Sequence, residues 1–176
     1  MKLALKIQNP SAAILPSSRG RVKHRDVIFE LPECHPAQHE FVYAWEAKNE
    51  DGTLKYPGLR NLVGAMGTKF GKSVGGTIRL AKESWEGFPG KICWWVAPIY
   101  RQCEYQYGNI KRMLPKGTFK EEKANLALQL YTPSGGEWSR IEFKSAEKPD
   151  DLRSFGVHFV VVDEVARMRR EARVSV

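Results

Sequence analysis

Long apolar runs are missing from this sequence. No stretch approaches the roughly 18 uninterrupted apolar residues that a membrane-spanning helix needs, and the opening "MKLALKIQNP" is broken by Lys6, Gln8, Asn9 and Pro10 too soon for a secretory leader. A soluble, intracellular protein with no membrane partner is expected. Cysteine is also scarce: Cys34, Cys93 and Cys103 are an odd set without paired spacing, which excludes a disulfide framework and favours a reducing compartment. Each is expected as a small buried hydrophobe. Cys34 lies close to His35 and His39, but no fourth ligand follows at recognisable spacing, so a zinc site is not expected. Internal repeats and low-complexity segments are absent.

What is present is a globular composition. Hydrophobic residues make up 42% and aromatic residues 11% of 176 positions, enough for one ordinary domain with a core despite a negative mean hydropathy. The balance of 28 Lys plus Arg against 20 Asp plus Glu gives a net charge of +8, which favours a polyanionic partner such as nucleic acid. Residues 1–25 hold no acidic side chain but carry Lys2, Lys6, Arg19, Arg21, Lys23 and Arg25. Residues 1–27 are therefore expected to be a flexible basic arm, either a phosphate-contacting tail or a solvated terminus. The ordered domain is expected over residues 28–176.

Periodicity divides the rest into alternating elements. Phe41, Ala44 and Trp45 share one helical face, and "LRNLVGA" is predicted as a short apolar strand. Val74, Ile78, Ala81 and Trp85 then form one helical stripe, and "KICWWVAP" reads as a strand buried on both faces. Ile99, Cys103, Tyr107, Ile110 and Leu114 form a second stripe, with Pro98 suited to its start and Pro115 to its stop. Leu126, Leu128 and Leu130, a Pro-Ser-Gly-Gly turn, and Ile141 and Phe143 predict a hairpin. "HFVVVDE" closes the series as a β-branched buried strand ending in two carboxylates. Strands alternating with helices imply an α/β fold of three layers, a mostly parallel sheet flanked by helices.

The stretch "GAMGTKFGKSVGG", residues 64–76, sits between the predicted strand and the first helical stripe. Gly71, Lys72 and Ser73 fit the end of the phosphate-binding pattern G-x-x-x-x-G-K-[ST], while Met66 occupies the place of its first glycine. In a strand–loop–helix context, Gly67 and Gly71 let the backbone approach phosphates. Lys72 reaches the β- and γ-phosphates, and the Ser73 hydroxyl holds Mg²⁺. Gly75 and Gly76 weaken the helix that follows, which points to close packing at its start. Hydrolysis also needs carboxylates near the metal and the attacking water. In "VVVDE", Asp163 is the candidate metal contact and Glu164 the candidate catalytic base.

From "HPAQHEF" to "VVVDEVARM", Leu31 to Met168, the sequence resembles the ATPase domain of the large terminase subunit of tailed bacteriophages. "HPAQ" resembles that family's upstream glutamine motif, which implies Gln38 against the adenine. "GTKFGKS" resembles its variant phosphate loop, in which the first glycine is often missing, and implies nucleotide contacts from Gly67, Thr68, Lys69, Phe70, Gly71, Lys72 and Ser73. "WWVAPIYRQCEYQYGNIKRMLP" and "EKPDDLRSFGVHFVVVDEVARM" are similar to later segments of the family. The arginine often seen early in the family's loop is not matched, since Thr68 stands there; Lys69 and Arg101 are the candidates for phosphate sensing or DNA contact in its place.

The resemblance implies a P-loop ATPase that uses ATP and Mg²⁺ to drive double-stranded DNA into a procapsid in the cytoplasm of an infected bacterium. It implies a portal protein, a small terminase subunit and copies of itself in a ring as partners. The family continues beyond the carboxylate pair with a strand that inserts between the phosphate-loop strand and the carboxylate strand, and later with a nuclease domain. The chain is therefore read as a partial domain, incomplete at its C-terminal side, with a gap at the centre of its sheet, no nuclease, and nucleotide binding expected ahead of turnover. Two other readings fit the residues: a helicase-like nucleic-acid-dependent ATPase, since "VAPIYRQ" is similar to a helicase segment, and a non-catalytic DNA-binding or assembly protein.

Overall fold

The computed structural model describes residues 4–6, 28–67, 69–88, 90–131, 138–153 and 156–174. Most of the expected basic arm lies outside them; its Ala4–Lys6 forms strand β1, antiparallel to β2 at Ile28–Glu30.

The apolar run "ICWWVA" forms β3, Ile92–Ala97, and it is buried because both its faces are covered. Cys93, Trp95 and Ala97 face one way, into a cluster with Ile78, Leu80 and Trp85 of helix α2 (Lys72–Trp85) and Cys103 and Ile110 of helix α3 (Tyr100–Met113). Trp94 and Val96 face the other way, against Ala146, Leu152, Met168 and Ala172. Strand alternation thus feeds two cores from one sequence run. The second layer is thin: 3₁₀ turns at Pro149–Leu152 and Val165–Arg167 and the short helix α4 at Arg170–Val174.

The sheet runs β4 (Phe119–Glu122), β5 (Ala127–Tyr131), β6 (Trp138–Ser145), β3, β7 (Phe159–Val162). It is mixed: β3 lies parallel to both β6 and β7, while β4, β5 and β6 pair antiparallel. The expected hairpin supplies the antiparallel half, with Leu128, Leu130, Ile141 and Phe143 in the core; its turn lies outside the described residues. Both expected helical stripes form. Ile78, Ala81 and Trp85 are buried, as are Cys103, Ile110 and Leu114, whereas Val74 and Ile99 at the head of each stripe are exposed.

Two expectations about strands are corrected. Residues 59–67, including "LRNLVGA", form no strand. Val63 is 86% exposed, because among the described residues nothing offers this segment a ladder of hydrogen bonds. The β-branched strand β7 is half-buried, since among the described residues it pairs with β3 alone. A cleft of about 510 Å³ separates the two, with Leu62, Val63 and Gly64 on one side and the β7 residues on the other. Apolar character alone identified both segments; pairing decided which became a strand.

Helix α2 owes its position to its glycines. A Cβ on Gly76 would lie 3.0 Å from Val161 and 3.2 Å from the Trp95 ring, whereas one on Gly75 would make ordinary contact with Val42 at 3.4 Å. The two glycines therefore predict opposite outcomes. Gly75→Ala should gain about 0.5–1 kcal/mol from helix propensity, and Gly76→Val should lose about 2 kcal/mol by overpacking the helix against the sheet. Urea denaturation of both variants checks this, and equal behaviour would contradict the packing.

The same helix buries charge. Arg79 and Lys82 are 5% and 4% exposed, and Lys91 beside them is 8% exposed. Arg79 pairs with Glu46 at 2.7 Å and with Glu83, Lys82 pairs with Glu46 at 2.8 Å and with Glu86, and Lys91 pairs with Glu83 at 2.6 Å. The Arg79 guanidinium also lies 4.7 Å over the Trp45 ring. Burial alone would raise the Glu83 carboxyl, but Lys91 and Arg79 outweigh it and hold the group below the usual carboxylate range.

Candidate functional site

The glycine loop enters α2 through Gly71, which has φ 85° in the left-handed region and no room for a side chain: a Cβ would fall 2.1 Å from Gln38 Nε2. That closeness is used. Gln38 lies in helix α1, Pro36–Val42, and its Nε2 donates to the Gly71 carbonyl at 3.0 Å, while His35 at the helix N-cap holds the Phe70 carbonyl at 3.0 Å. Lys72 turns back under the loop and donates to the carbonyls of Met66 at 2.7 Å and Gly67 at 3.2 Å. These four loop carbonyls are thus occupied by side chains. Among the described residues no side chain caps the N-terminus of α2, so the helix meets the loop with its first N–H groups turned to where an anion could bind.

The carboxylates arrive from the sheet. Asp163 follows β7, its N–H donating to the Val96 carbonyl at 2.9 Å, and its Oδ2 accepts from Ser73 Oγ at 2.7 Å across 90 residues of sequence. Glu164 takes a left-handed conformation at φ 50°, and its Oε2 accepts from Gln102 Nε2 and from the Arg167 guanidinium, each at 2.9 Å. Asp163 therefore faces the loop while Glu164 is held toward α3. Two openings flank the pair. One is the 510 Å³ cleft along β7, which Lys72 and Ser73 also line. The other, about 560 Å³, is lined by Ser73, Thr77, Gln102 and Gln106 with both carboxylates.

The structure brings together Gln38, Gly67, Phe70, Gly71, Lys72, Ser73, Asp163 and Glu164. Thr68 lies outside the described residues. Lys69 is exposed in a left-handed conformation, φ 61°, and Arg101 is exposed on the first turn of α3; neither lines the two openings. Gln38 is committed to the loop, since its Oε1 accepts from the His35 N–H at 3.2 Å while its Nε2 holds Gly71. Sequence reasoning misses Gln102 and Arg167 as partners of Glu164, and it weighs His35 only as a metal ligand. The place of His35 at the head of "HPAQ" is the one signal that could have singled it out.

Strand β7, parallel to β3 and ending in adjacent carboxylates that face a glycine loop and the N-terminus of a helix, defines a P-loop-like α/β domain. No family model matches the chain. Over 120 residues, 59% of this chain, it is 28% identical to the large terminase subunit of Thermus phage G20c and, to the same extent, to that of Thermus virus P23-45. The chain spans 24% of the length of these relatives. Among solved structures, the large terminase ATPase domain of Thermus phage P74-26 matches with a TM-score of 0.52 at 24% identity, over 62% of this chain and 51% of that one. An arginine-to-alanine mutant of the same domain matches with a TM-score of 0.51 at 23% identity, over 62% of this chain and 52% of that one. The fold is that of a large terminase ATPase domain.

Proposed function

We propose that this chain is the ATP-hydrolysing motor domain of a phage terminase large subunit, acting in the packaging of double-stranded DNA. The observation that carries the reading is the 2.7 Å bond between Ser73 and Asp163 at the uncapped start of α2. It joins the two halves of a nucleotide site that lie far apart in the sequence. The hydroxyl and carboxylate are hard oxygen donors suited to Mg²⁺, and Ser73 and Asp163 would hold the ion. Bound there, Mg²⁺ would supply charge neutralisation at the β- and γ-phosphates.

The chain's own residues do the remaining work. The loop and α2 N–H groups bind the phosphates, with the Lys72 ammonium exchanging its carbonyl partners for phosphate oxygens. Glu164 orients the attacking water and accepts its proton, once released from the grip of Gln102 and Arg167. Exposed Lys69 and Arg101 are candidates for contact with phosphate or DNA. Partners in this reading are double-stranded DNA, a portal protein, a small terminase subunit and further copies of the chain.

Phosphate release measured with Mg-ATP, alone and with double-stranded DNA, tests the proposal. Release stimulated by duplex DNA is the expected result. Stimulation by single strands only would favour a helicase-like ATPase, and ATP binding without release would favour a non-catalytic assembly protein.

A further inference from the structure

His35 is a poor choice for a helix cap and a good one for something else. Ser, Thr, Asp and Asn are the usual N-cap residues because a short side chain reaches the N–H two or three positions on. His35 does reach it, since Nδ1 accepts from the Gln38 N–H at 3.3 Å. Its second nitrogen is then on the opposite side of the ring, 3.0 Å from the Phe70 carbonyl, with the imidazole set edge-on to the Phe70 ring at 4.8 Å. An N–H faces Nδ1 and a carbonyl faces Nε2, so the neutral ring protonated on Nε2 satisfies both at once. None of the usual cap residues has a second group that could span to the loop.

The consequence concerns the next two peptides. In a trans peptide the carbonyl and the following N–H point in opposite directions, and the described residues contain no cis bond. Holding the Phe70 carbonyl toward α1 turns the Gly71 N–H the other way. The Gly71 carbonyl accepts both the first intrahelical bond of α2, from the Gly75 N–H at 2.9 Å, and the Gln38 amide, so the Lys72 N–H is turned the same way by the helix itself. Two consecutive N–H groups are thereby presented at the uncapped end of α2, where an anion would be bound.

We infer that His35 is a positioning residue of the nucleotide site: through Nε2 it fixes the Phe70 peptide, so that the phosphate-binding N–H groups are oriented before ligand arrives. The inference rests on the nucleotide reading above, and it adds a residue that touches no substrate. Orienting the N–H groups in advance strengthens binding by removing an ordering cost.

The test uses His35→Asn in the full chain, because Asn keeps the cap but cannot reach Phe70. Affinity for a fluorescent Mg-ATP analogue should weaken about fivefold, the worth of one neutral hydrogen bond, with the melting temperature close to wild type. His35→Ala should lose the same affinity and also stability. An Asn variant that binds as tightly as wild type would overturn the inference, since the cap alone would then suffice. A second measurement needs no nucleotide: ¹⁵N NMR should find His35 protonated on Nε2 and the Phe70–Gly71 backbone more mobile in His35→Asn. The opposite tautomer, or an unchanged loop, overturns the latch even if the wild-type chain proves not to bind ATP, a failure that would count against the proposed function instead.

Discussion

Lys72→Ala is expected to remove measurable nucleotide binding, and Glu164→Gln to retain binding while lowering phosphate release at least about 100-fold. The two outcomes separate because the residues act at different stages. Lys72 is the cation folded back onto the loop, its ammonium resting on the Met66 and Gly67 carbonyls. Its removal takes away both the charge that phosphate would meet and the tie that closes the loop. Glu164 is tied elsewhere, with its carboxylate held by Gln102 and Arg167. Replacing it with an amide of the same shape leaves the proposed phosphate cradle intact but removes the proposed base. Titration calorimetry with Mg-ATP and a phosphate-release assay on both variants check the pair. Unchanged release in Lys72→Ala would remove the motor reading altogether.

Glu83→Ala should destabilise the chain by about 2–3 kcal/mol in chemical denaturation, below the upper range for breaking a buried ion pair. The discount is physical: Glu83 is 21% exposed, and Arg79 keeps Glu46 as a partner. The loss remains large because Arg79 and Lys91 are buried and would each forfeit a carboxylate. A pH dependence follows with a definite sign. Glu83 titrates lower in the folded chain than its ordinary value of 4.5, so the stability it contributes is present above that value and is lost as pH falls through the lower folded one. Glu83→Gln should therefore show a shallower acid limb than wild type when unfolding is followed between pH 6 and about pH 3. An identical acid limb would place the acid sensitivity elsewhere.

Much of the site is legible in the sequence. Gly71, Lys72 and Ser73 match the spacing of a phosphate-binding pattern, and two carboxylates after four β-branched or aromatic residues mark a strand end. Gly75 and Gly76 are legible as a packing signal, though not which of them packs: only the 3.0 Å approach to Val161 singles out Gly76. Other features are invisible there because they depend on long-range contact. Gln102 is one polar residue among several on α3 until the fold sets it against Glu164. Nothing in the helical stripe announces Arg79 and Lys82 as buried, yet the 3₁₀ turn at Ala44–Glu46 brings Glu46 to both.

The sequence by itself determined the local vocabulary: amphipathic helices from 3.6-residue periodicity, the doubly covered β3 from an uninterrupted apolar run, and a glycine loop leading into a helix at Gly71, Lys72 and Ser73. These are properties of a few neighbouring residues, and neighbouring residues suffice to express them. Tertiary structure alone decided the rest. Residues 59–67 are apolar enough for a strand but remain unpaired, because a strand exists only through hydrogen bonds to another segment. The grip of His35 and Gln38 on the loop likewise depends on where distant segments of the chain pack; the two motifs made Ser73 and Asp163 candidates for one metal, but only that packing sets them 2.7 Å apart.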